Sequence, residues 1–176
     1  MPKQSIIKLK NYFREDHHPT KRKTTTYQKV EKIGILIQGK EIKNSAAINT
    51  FVNGLKLEGK NVSVLCFSEK GSNLYFDFNV EQFTLKEISF TGKYLNPNIQ
   101  HFIAQKFDYL FCLSIAPTPI LIAILLNSKA NCRAGLQTHN NEPLLDLMVY
   151  STKKDITPGE IGEQIIALVK KIKTND

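Results

Sequence analysis

Apolar residues in this chain fall into short blocks separated by polar turns. Ile33-Gly34-Ile35-Leu36-Ile37 is a continuous apolar run, the pattern of a strand buried on both faces. A Gln38-Gly39-Lys40 turn follows. From Asn44 or Ser45 the period changes, and Ile48, Phe51, Val52 and Leu55 mark one face of a helix, with Gly59 suited to its C-terminal end. Asn61 to Phe67 (NVSVLCF) reads as a second strand. Strand, helix, strand is a βαβ unit, and such units build parallel sheets covered by helices.

The longest uncharged stretch runs from Tyr109 to Ser128. Its length is about that of a membrane-spanning helix, but Pro117 and Pro119 interrupt it. Each proline removes a backbone donor and disfavours helix at the preceding residue. The stretch is therefore expected to split, with a buried strand at Tyr109 to Leu113 and a buried helix at Pro119 to Ser128. No transmembrane segment is expected, and the start, MPKQSIIKLK, shows no secretory pattern.

Other elements follow the same logic. Leu74 to Phe78 and Lys86 to Phe90 are candidate strands with broken alternation. Pro97 to Gln105 predicts a short helix, and Ala130 to Leu136 and Leu144 to Tyr150 predict strands either side of a polar loop, Gln137 to Glu142. Thr157-Pro158-Gly159-Glu160 matches a capping box with proline at the first helical position. Ile161, Ile165, Leu168, Val169 and Ile172 would form the buried stripe of that closing helix, with Lys170, Lys171 and Lys173 in its last turn. The sum is an α/β chain: a single Rossmann-like three-layer domain over residues 30–176, with a mostly parallel sheet of five or six strands.

Charge separates the first 29 residues from this domain. Residues 1–32 carry nine bases against three acids, a net +6, while residues 33–176 carry 15 against 13, a net +2. The basic N-terminal arm has a possible short helix, Ser5 to Glu15, with Ile6, Leu9 and Phe13 on one side, and an extended linker, His17 to Tyr27. A basic tail on a nearly neutral domain points to an anionic partner, RNA or the ribosome, with Lys8, Lys10, Arg14, Lys21, Arg22 and Lys23 as candidate phosphate contacts. Tyr12, Phe13 and Tyr27 would stack on bases or pack against the domain. An anionic membrane surface is the competing partner, through Ile6, Ile7, Leu9, Tyr12 and Phe13. A solvated tail without a specific partner is the plainest alternative.

Catalytic signatures are missing from the sequence. The first βα turn has one glycine, not GxGxxG, and no GKS or GKT follows it. Ser114 sits in LSIAP, which is not a nucleophile elbow. His139 lies seven residues from both Cys132 and Asp146, a spacing without metal or triad meaning, and His17-His18 lacks further ligands. No cofactor and no metal are expected. Loops after parallel strands are where α/β folds bind ligands, which makes Gln38, Gly39 and Ser114 the candidate small-molecule residues, with Ser68 and Gln137 near them. Cys66, Cys112 and Cys132 each fall in an apolar, strand-like stretch, so reduced thiols and a cytoplasmic location are expected.

The segments FDYL, Ser114, the apolar helix, NSKANCRAG and LLDLMV also carry a resemblance. They are similar to one Rossmann-like half of the heptosyltransferase-type glycosyltransferases, through a strand, a helix and an S-x-A-x-x-x-x-G segment at Ser128, Ala130 and Gly135. They resemble more closely an uncharacterised family of small α/β proteins with a basic N-terminus. The likeness covers roughly residues 84–150. It implies the fold, and as an alternative function a small-molecule or nucleotide(-sugar)-binding domain.

Overall fold

The first strand, β1 (Lys32–Gln38), is buried at every position after its first. A strand with a neighbour on each edge and a helix layer on each face has no exposed side, which is why its sequence is uninterrupted by charge. The structure is a computed structural model that describes residues 23–68, 74–89, 92–138 and 144–173. The arm helix expected at 5–15, most of the linker, Lys8, Lys10, Arg14, Lys21, Arg22, His17, His18 and His139 lie outside the described residues.

Five further strands are β2 (Asn61–Phe67), β3 (Glu81–Phe83), β4 (Tyr109–Cys112), β5 (Cys132–Leu136) and β6 (Leu147–Val149). Among the described residues the α-helices are α1 (Ala46–Leu57), α2 (Pro97–Ala104), α3 (Pro119–Asn127) and α4 (Pro158–Val169). Among the described residues the strands form one sheet in the order β3-β2-β1-β4-β5-β6. Every pairing is parallel, with Ile35 opposite Val64 on one side and Phe111 on the other.

Alternation along the strands sends side chains to two cores. Ile33, Ile35, Ile37, Tyr109 and Phe111 pack with Phe51, Leu55, Ile161 and Ile165 of α1 and α4. Leu36, Leu65, Leu110 and Cys112 pack with Ile99, Phe102, Leu121 and Ile124 of α2 and α3. The uncharged stretch splits at its prolines into β4 and α3, with Pro119 at the first turn of α3. Among the described residues no helix is long and apolar enough to cross a membrane. Two glycines let α1 and α4 approach closely: a Cβ on Gly159 would lie 2.9 Å from the Ala47 carbonyl, and one on Gly162 would lie 2.6 Å from the Phe51 ring.

Three expectations are corrected. Leu74 to Phe78 is not a strand. Leu74, Phe76 and Phe78 pack onto the α1/α4-side core, Asn53 donates to Asp77 at 3.1 Å, and the Lys56 ammonium sits 5.2 Å from the Phe78 ring, so the segment lies across α1 and out of the ladder. The third strand is instead the short β3, paired with the end of β2. Of the strand expected at Lys86 to Phe90, the described residues Lys86 to Ser89 form no strand either. Thr84 accepts from Lys86 N while Glu87 accepts from Thr84 N at 2.8 Å, and this capping box closes a 3-10 turn at Leu85–Glu87. Finally, α4 ends at Val169, so Lys170 caps it and Lys171 and Lys173 lie past its last turn. The capping box at Thr157 and Glu160 forms as expected.

Candidate functional site

Chain direction across the sheet reverses at β1, with β2 on one side and β4 on the other. The C-terminal ends of β1 and β4 therefore border the crevice where open α/β sheets bind ligands. Gln38, the last residue of β1, is fully buried there. Its Oε1 accepts from Thr118 N at 3.1 Å, at the start of α3, while its Nε2 and the Thr118 hydroxyl are buried without a partner. Gly39 opens a 3-10 turn, Gly39–Glu41, where a Cβ would lie 2.9 Å from Leu74 Cδ1. Ser114 is buried just past β4.

Glu41 ties these pieces together. Its carboxylate accepts from the Ser114 hydroxyl at 3.0 Å, from Ile115 N at 2.9 Å and from Ala116 N at 3.0 Å. The three donors that line the β4–α3 loop are thus taken by a carboxylate of the chain itself. The sequence reading passed over Glu41, because its partners lie more than seventy residues away. Beside it a cavity of about 480 Å³ is lined by Lys40, Lys43 and Lys154, by the first turn of α1 and by Gly159.

Among the described residues no histidine stands beside Ser114 to activate it as a nucleophile. The Ser114 hydroxyl donates to a carboxylate with no histidine between them. Burial pushes the Cys112 thiol up to about 12 and the Cys66 thiol up to about 11, so neither offers a thiolate near neutral pH. The three cysteines are buried and form no disulfide with one another. Asp146 accepts from Arg133 N at 2.8 Å and from Arg133 Nε at 3.3 Å. Among the described residues no group of three His, Cys, Asp or Glu is placed to hold a metal ion.

Lys23 is the one candidate phosphate contact among the described residues, and it sits at the opposite end of the sheet. It is exposed, and its backbone N donates to Asn131 O at 3.2 Å, just before β5. The Tyr109 hydroxyl, at the start of β4, donates to Thr25 O at 2.7 Å. Tyr27 is buried on the domain, and does not stand out as a stacking platform. The Lys60 ammonium donates to the Tyr27 and Val30 carbonyls at 3.0 and 2.8 Å. The arm thus joins the domain at the N-terminal ends of the strands, away from the Gln38–Ser114 crevice.

A six-stranded parallel sheet with a reversal between its first and fourth strands and helices on both faces defines a Rossmann-like α/β domain. The chain belongs to the family of unknown function DUF6913, whose model matches residues 3–172. No curated protein matches it.

Proposed function

We propose that the chain is a non-enzymatic binding protein that engages RNA through its basic N-terminal arm, on a large ribonucleoprotein such as the ribosome in the cytoplasm. The observation that carries this reading is charge placement, +6 over residues 1–32 beside +2 over the rest. Two structural facts support it. The last arm residues are anchored to the domain by Tyr27 and Thr25, so the preceding bases have a fixed point of departure. The crevice donors that a small anionic ligand would use are held by Glu41.

Filter binding of single-stranded RNA at low salt tests the reading. The intact chain is compared with a full-length variant carrying Gln at Lys8, Lys10, Arg14, Lys21 and Arg22. Charge substitution is cleaner than truncation of residues 1–29, which would also remove the buried Tyr27 ring. Contacts to phosphate weaken steeply with salt and carry little sequence preference. Equal binding by the two proteins overturns the proposal.

The second reading, a domain for a small molecule or nucleotide(-sugar) related to glycosyltransferases, is favoured by the cavity that Lys40, Lys43 and Lys154 line. Thermal-shift measurements with nucleotides and nucleotide-sugars separate it from the first. A shift that survives the arm substitutions and vanishes with Lys43→Ala and Lys154→Ala replaces the RNA reading.

A further inference from the structure

We infer that the N-terminal edge of the sheet is a second contact surface for the same RNA, binding its phosphodiester backbone beside the arm; the inference rests on the RNA-binding reading. Because every strand is parallel, all strand starts lie along one edge. Four adjacent strands each begin next to a lysine: Lys60 precedes β2, Lys32 opens β1, Lys106 lies three residues before β4, and Lys129 lies three before β5. Neighbouring strands are about 4.8 Å apart, so these four starts span roughly 15 Å. A nucleic-acid strand laid along that edge brings more than one phosphate within reach of these lysines.

The lysines do not all face outward. Lys60 turns inward onto the Tyr27 and Val30 carbonyls. Lys32, Lys106 and Lys129 are exposed, and Lys23 joins them through its backbone bond to Asn131, two residues after Lys129. Lys32 and Lys106 line a cavity of about 330 Å³ together with Asn61, Ser63, His101 and Gln105. The Ser63 hydroxyl donates to Gln105 Oε1 at 3.5 Å, and the amide and imidazole N–H groups there suit phosphate oxygens.

Acids on this edge are mostly engaged: at the outer strands Glu81 accepts from Asn96 Nδ2 at 3.2 Å and Asp146 binds Arg133. Asp108 accepts from Glu31 N at 2.9 Å and from Lys32 N at 3.0 Å, so its charge is turned to the backbone. Glu58 is held by Tyr27 and Lys170. Glu31 is exposed and stands against the lysines. The arm leaves at Lys23, beside Lys129, so an RNA strand held by the arm meets the edge at a high effective concentration. Weak individual contacts there then add to binding without needing affinity of their own.

The experiment measures single-stranded RNA binding against salt for three full-length proteins with the arm unchanged: the intact chain, Lys32→Gln with Lys106→Gln, and a control of equal charge change, Lys86→Gln with Lys93→Gln, in the segment between β3 and α2. The edge pair is expected to bind more weakly, with a slope of log K against log salt shallower by about 1.4, since each lost contact to a single strand removes about 0.7. The control pair keeps the slope of the intact chain, and so does Lys32→Arg with Lys106→Arg, which retains the charge. Melting curves of all variants are expected to coincide with the intact chain. An edge pair with an unchanged slope, or one that differs no more than the control pair, overturns the edge while leaving the arm reading standing. An intact chain that binds anionic vesicles but no RNA overturns both.

Discussion

The Tyr27 hydroxyl donates to Glu58 Oε2 at 2.6 Å, joining the segment before β1 to the end of α1. Lys170, which caps α4, reaches the other oxygen of Glu58 at 3.0 Å and lies 4.9 Å from the Tyr27 ring. Lys60 lies 4.6 Å from the same ring. Tyr27 is thus held between two ammonium groups, each at cation–π distance, with its hydroxyl on a carboxylate that one of them also pairs.

This arrangement predicts a pH signature. Glu58 is held below the ordinary carboxylate range, first by the Tyr27 hydroxyl and then by Lys170. The stability it carries is complete above the unfolded carboxylate pKa and is lost as pH falls through the lower folded value. Tyr27 is pushed up, first by burial and then by its bond to Glu58, so its part persists at neutral pH and fades only as pH rises through the folded value. Tyr27→Phe is expected to cost about 1 kcal/mol near neutral pH. The difference in melting temperature from the intact chain should shrink in acid. Tyr27→Ala, which also empties a buried site, is expected to cost about 3–5 kcal/mol.

Glu41→Ala removes the acceptor from Ser114 Oγ, Ile115 N and Ala116 N together. Each donor that water does not reach afterwards costs about 1–3 kcal/mol. Urea unfolding should show a loss larger than that of Ser114→Ala, which deletes one donor and leaves two. Equal losses from the two substitutions would argue that the loop rehydrates and that Glu41 is not its organiser.

Helix packing gives a contrast of sign. Gly162→Ala places a methyl 2.6 Å from the Phe51 ring, so α1 and α4 must separate, at an expected cost of about 1–3 kcal/mol. Gly54→Ala on α1 meets nothing within 4 Å. It is expected to stabilise by about 0.5–1 kcal/mol through helix propensity alone. Thermal unfolding of the two single variants reads both effects.

Leu113 is fully buried just past β4. A lysine there has neither partner nor water, and the penalty of several kcal/mol is on the order of a whole domain's stability. Leu113→Lys is expected to give a chain without a cooperative melting transition. A normal transition in that variant would show that the end of β4 is open to solvent.

Strong periodicity made β1, α1, β2 and α4 legible in the sequence, and two prolines located the break between β4 and α3. Residues 74–90 were not legible in the same way. Leu74, Phe76 and Phe78 alternate as in a strand, but their hydrophobic partner is helix α1, and period-2 alternation does not say which surface it will meet. The true edge strand, β3, has one fully buried apolar residue, Phe83, and so leaves almost no pattern. Thr84 and Glu87 did carry a local signal, a capping box, that outweighed the apolar spacing around it. Among the candidate crevice residues, Gln38, Gly39 and Ser114 followed from strand ends alone. Glu41 did not, because its role depends on hydrogen bonds to a loop more than seventy residues later. Lys32, Lys106 and Lys129 are likewise scattered in sequence, and only parallel strand order aligns them.

That strand order also sets a schedule for assembly. β1 is central, yet its neighbour β4 pairs Ile33 with Tyr109, 76 residues further along. No tight hairpin can satisfy it, and distant pairings close slowly because loop entropy must be overcome first. During synthesis β1, α1 and β2 can come together once Phe67 has emerged, while Cys112 arrives 45 residues later. At ordinary elongation rates that interval is roughly 2–9 s. For that time the ladder groups on the β4 edge of β1, whose Ile33–Ile37 stretch is wholly apolar, face no partner. The nascent chain is therefore most prone to aggregate between the completion of β2 and the arrival of β4.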